Sequence, residues 1–120
     1  MKPIYERDWS THQVRYYLSH WYQYDQRVND LSEFERACYI QLYIRLSYLT
    51  DGERQLLADQ FRRPLNEQLT DAQQAERMGM NEYGYREKRV VLLRRLQRHR
   101  QQPFNRDHLM EELKQLLAVK

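Results

Sequence analysis

The sequence predicts an all-α protein, a small helical bundle. Gly and Pro are scarce, three of each in 120 residues, so the regular turns of an all-β chain are missing. Leu, Arg, Gln and Glu, all good helix formers, dominate instead. S/T-x-x-E/Q pairs punctuate the chain at Ser32/Glu35, Thr50/Glu53 and Thr70/Gln73, where two side chains satisfy orphan amides at a helix start. A chain of this length has material for one modest core.

Six helices are expected, near 9–28, 32–48, 51–62, 70–77, 81–100 and 106–118. In the first, Val14, Tyr17, Leu18, Trp21, Tyr24 and Val28 recur at three- and four-residue steps, an amphipathic stripe finished in aromatics. The second contains ACYIQLYIRL (37–46), apolar nearly all round, with Arg36, Gln41 and Arg45 as a narrow polar strip. Such a helix belongs at the centre of a bundle. Asn81 alone caps the fifth, and Pro103 ends it. The sixth has an apolar side of Leu109, Met110, Leu113, Leu116 and Leu117, suited either to packing back on the domain or to a homodimer contact. The chain thus divides into aromatic-rich helices at 1–48, a central region at 49–100 and the C-terminal helix within 101–120.

Residues 1–12 lack an apolar core of the kind a signal peptide carries, and no apolar run approaches the ~18 residues that span a bilayer. With the single Cys38 unable to form an intramolecular disulfide, a cytoplasmic protein without membrane attachment is expected. His12, His20, His99 and His108 show no metal-ligand spacing. There is no Gly-rich phosphate loop and no nucleophile motif, so neither catalysis nor a cofactor is expected. The ten tyrosines mostly follow the apolar stripes, which favours core packing over base stacking.

Charge is unevenly spread. Residues 1–60 carry 7 basic and 9 acidic side chains, whereas residues 61–100 carry 10 and 5. That concentration of positive charge suggests a polyanionic partner. It coincides with TDAQQAERMGMNEYGYREKRVVLLRRLQRHR (70–100), a short helix, a turn at Gly79 and a basic helix: the outline of a helix-turn-helix. Gly79 supplies the positive φ of the turn, and Ala75 the small side chain that close helix crossing needs. Met78 and Met80 are expected to plug the turn, while Tyr85, Leu92 and Leu96 face the core with Leu93 at its margin.

Over residues 47–100 the chain resembles the region-4 helix-turn-helix of bacterial sigma factors and, more closely, small phage transcription regulators of the ArpU and RinA type. Leu49, Glu53, Arg54, Leu56 and Leu57 resemble the lead-in helix of those families. Ala75, Glu76, Met78 and Gly79 match the scaffold helix, Asn81 the cap and Tyr85 the first apolar residue. Three positions depart from the pattern: Gln74 and Lys88 stand where apolar residues are usual, and Gly84 falls inside the recognition helix. The resemblance implies a non-enzymatic transcription regulator that binds double-stranded DNA, with an RNA polymerase subunit as a candidate partner.

At 100° per residue, Tyr83, Arg86, Glu87, Val90 and Arg94 lie opposite the apolar face. Asn81, Glu82, Tyr83 and Arg86 occupy the turns that normally reach base edges. Arg86 could pair with guanine, and Asn81 with adenine if it is not spent on capping. Arg89, Arg94, Arg95 and Arg98 suit phosphates, with Arg62 and Arg63 as further contacts. Val90 and Val91, on the outward side, and the acids Glu82 and Glu87 fit a protein-interaction module better. A DNA-packaging recognition protein, like a terminase small subunit, shares the chemistry of the first reading.

Overall fold

The computed structural model describes residues 7–98. Within them lie six α-helices: α1 (Thr11–Ser19), α2 (Trp21–Gln26), α3 (Glu33–Leu46), α4 (Asp51–Phe61), α5 (Asp71–Met78) and α6 (Glu82–Gln97). A 3-10 turn, Leu65–Glu67, interrupts the connection from α4 to α5. The helix expected at 106–118, and the dimer contact weighed for it, lie outside the described residues. No described helix is long and apolar enough to cross a membrane.

The three expected capping boxes are present on α3, α4 and α5, each with both reciprocal bonds formed. A fourth, Ser10 with Gln13, starts α1 two residues later than expected. The helix expected over 9–28 is divided at His20, whose φ of −99° and ψ of 1° leave the helical region. At the break the imidazole stacks on Tyr16 at 4.1 Å, and its Nδ1 lies 2.7 Å from the Tyr16 carbonyl oxygen, which also accepts the His20 amide.

Beyond the bend, Trp21 and Tyr24 meet α3 edge-on, Trp21 against Tyr43 and Tyr24 against Tyr39. These are the offset geometries that ring quadrupoles favour. Helix α3 is the central element, and of its polar strip only Arg36 is exposed: Gln41 and Arg45 are buried. Arg45 donates to the carbonyls of Leu96, Gln97 and Arg7 at 2.7, 2.8 and 2.5 Å and stacks over the Trp9 ring at 3.9 Å. Burial pushes its guanidinium down to about 10, so it stays charged at neutral pH. The C-terminus of α6 is thereby closed by α3, and the Trp9 amide adds a bond to the Gln97 carbonyl. One hydrophobic cluster runs from Trp9 through α1 and α3 to Leu96, joining residues on both sides of position 48.

Candidate nucleic-acid interface

Helices α5 and α6 are joined by the turn that the Gly79 position requires. Gly79 has φ 68° and ψ 29°, a left-handed conformation that a Cβ makes costly. The Met80 amide reaches back to the Ala75 carbonyl at 2.9 Å, completing the C-cap. Ala75 and Tyr85 are fully buried on the facing sides of the two helices. Met80 packs against the core, but Met78 is partly exposed and lines a shallow groove between α4, α5 and α6 with Leu56, Asp59, Gln74 and Lys88. Leu93 is buried as deeply as Leu92 and lies well inside the core face.

A polar network fixes α6 against the two preceding helices. Arg89 forms a two-pronged pair with Asp71, Nε to Oδ1 at 2.9 Å and Nη2 to Oδ2 at 3.0 Å. Gln60 donates to Asp71 and to the Leu69 carbonyl, and its own oxygen accepts from the Tyr85 hydroxyl. Burial raises the Tyr85 phenol, which keeps it protonated as that donor. For Asp71 burial acts upwards, but bonds from Arg89 and Gln60 and the charges of Arg89 and Arg86 outweigh it, holding the carboxyl below its ordinary range. Gln74 is buried, and its Oε1 has no hydrogen-bond partner among the described residues.

The expected contact residues therefore separate. Arg89 is only 7% exposed and bound to Asp71, so it cannot serve phosphate as expected: at 240° from Tyr83 on a 100° spacing it belongs to the buried arc. Asn81 is spent on capping, accepting from the Gly84 amide at 2.6 Å. Glu82 and Arg86 pair with each other one turn apart. Arg95 spans to Glu53 on α4 at 2.9 Å. Tyr83, 71% exposed, leads the outward stripe, and Arg94 and Arg98 follow on the same side. Lys88 is exposed beside the groove; Lys88, Arg94 and Arg98 form no ion pair among the described residues. Val91 is exposed while Val90 is half-buried.

The preceding helix end is also committed. Arg62 binds Asp25 at 2.6 Å, a carboxylate that also accepts from Tyr39 and Tyr43, and Arg63 joins Arg77 on Asp59. Sequence periodicity located the outward face of α6 but not these pairs, whose partners lie on other helices. Among the described residues no group of three or more His, Cys, Asp or Glu is placed to hold a metal ion. No protein-family model matches the chain, and no curated protein or solved structure matches it.

Proposed function

We propose that this chain is a small DNA-binding transcription regulator of the phage type, acting in the cytoplasm without catalysis, with α6 as the helix that enters the major groove. The observation that carries the reading is the left-handed Gly79 turn between α5 and α6, with Tyr83, Arg94 and Arg98 on the outward side of α6 and Lys88 beside them. Arginine and lysine on such a face bind phosphates, while the first turns of the helix meet base edges. The preference for regulation over DNA packaging rests on the sequence resemblance over residues 47–100, as does an RNA polymerase subunit as further partner.

The three cations without an ion pair among the described residues neutralise about three phosphates, so log Kd against log salt has a slope of about 2.7 in magnitude, from about 0.9 per phosphate. Fluorescence anisotropy on mixed-sequence duplex across a salt series measures it. No binding even at low salt overturns the reading and favours a protein-interaction module, which the exposure of Tyr83 and Val91 on one helix would then serve.

A further inference from the structure

Glu87 is out of place on a helix face that only grips phosphate. Glu82, the other carboxylate of α6, pairs with Arg86 one turn away. Glu87 is exposed and meets no arginine among the described residues. Its neighbours one turn away on either side are Tyr83, Gly84, Val90 and Val91, so no cation of its own helix lies within pairing reach. It stands in the outward stripe between Tyr83 and Arg94, and Val91, 47% exposed, lies one turn beyond it. A carboxylate pressed against duplex DNA is repelled by phosphates unless it accepts a proton donor from a base. In the major groove the donor that a carboxylate takes is the cytosine N4 amino group, and the partner of an exposed apolar side chain is the thymine methyl.

We propose that Glu87 and Val91 are specificity-determining residues, reading a cytosine amino group and a thymine methyl respectively. The inference rests on the DNA-binding reading above and deepens it by naming the bases. Four residues of helix separate the two side chains by about 6 Å, so the two bases lie within about two base-pair steps of 3.4 Å. The carboxylate penalises every duplex that lacks the cytosine, so Glu87 acts chiefly by rejection.

Selection from random duplexes, followed by anisotropy titration of the full chain, tests this with Glu87→Ala, Glu87→Gln and Val91→Ala. Both positions are on the surface, and circular dichroism checks that the three variants remain folded. The expected wild-type site holds a cytosine and a thymine within two steps. Glu87→Ala should bind non-specific duplex more tightly while losing five-fold or more of the discrimination at the cytosine. Replacing the thymine by uracil, which removes the methyl, should weaken wild type more than Val91→Ala, whose shorter side chain makes less of that contact. Duplex binding with base preferences unchanged in Glu87→Ala and Glu87→Gln, or equal uracil effects in wild type and Val91→Ala, overturns the assignment and leaves DNA binding standing. No binding to any duplex overturns the DNA reading itself and this inference with it.

Discussion

Arg89 and Arg94 are five residues apart on one helix, yet their surroundings assign them opposite work. Arg89 is enclosed with Asp71 and neutralised there, whereas Arg94 is exposed. Removing one partner of a buried pair leaves the other charge uncompensated, so Arg89→Met should cost about 3 kcal/mol, the lower end for such pairs because Asp71 keeps Gln60. Arg94→Ala should change stability by less than about 0.5 kcal/mol. Urea unfolding of the two variants separates them, and equal costs would mean that Arg89 is not structural. The same pair makes a pH prediction. Because the Asp71 carboxyl is held below its ordinary value in the folded chain, its contribution is full above about pH 4, the unfolded value, and is lost as pH falls through the lower folded value. Asp71→Asn should therefore flatten the acid limb of the stability curve. An unchanged limb would place the acid sensitivity elsewhere, Asp59 being the next carboxylate held low, chiefly by its bond from Arg77.

At the scale of elements, α6 depends on two glycines for different reasons. Gly79→Ala forces a Cβ into a left-handed residue and should cost about 1–2 kcal/mol. Gly84→Ala would ordinarily gain about 0.8–1.0 kcal/mol of helix propensity. Here the new Cβ would meet the Asn81 Oδ1 atom at 3.2 Å, the atom that caps the helix. A disturbed cap costs about 1 kcal/mol, so the net change should be close to zero. Thermal melts of both variants read these values, and a clear stabilisation by Gly84→Ala would mean that the cap shifts at no cost. Helix α4 bears on α6 through Glu53, which bonds the Thr50 amide and also holds Arg95. Glu53→Gln keeps the capping box but frees Arg95, so duplex affinity should rise and the salt slope steepen by about one unit. An unchanged slope would mean that Arg95 does not reach phosphate once released.

How far these features were legible follows from their range in the chain. Capping boxes are local, and the three expected ones formed even where a distant group shares an atom, as Arg95 shares the Glu53 Oε1 that accepts the Thr50 amide. The Ser10–Gln13 box carries the same signal but fell inside the helix expected over 9–28, just ahead of the apolar stripe that starts at Val14. The break at His20 has no Gly or Pro to mark it. The outward face of α6 follows from helical period alone. The loss of Arg89 and Arg95 to Asp71 and Glu53 does not, since those partners lie 18 and 42 residues away and only tertiary packing brings them together.

Across the whole molecule, the aromatic helices hold the far end of the proposed recognition helix. Arg45, from the centre of the bundle, closes the last carbonyls of α6, and Trp9 covers the guanidinium. Arg45→Met would take that donor from the Leu96 and Arg7 carbonyls, at about 1–3 kcal/mol for each group left buried and unsatisfied, while the Gln97 carbonyl keeps the Trp9 amide. The loss should be seen as a fall of several degrees in melting temperature, and an unchanged melt would mean that the terminus of α6 is held by apolar packing alone. The central claim, that α6 presents its outward face to duplex DNA, is tested most directly by titrating duplex into isotopically labelled protein and following backbone amide resonances. The account predicts shifts concentrated at Tyr83, Glu87, Val91, Arg94 and Arg98, with α1 and α2 little changed. Shifts confined to α1 and α2, or to the groove lined by Leu56 and Met78, would contradict it.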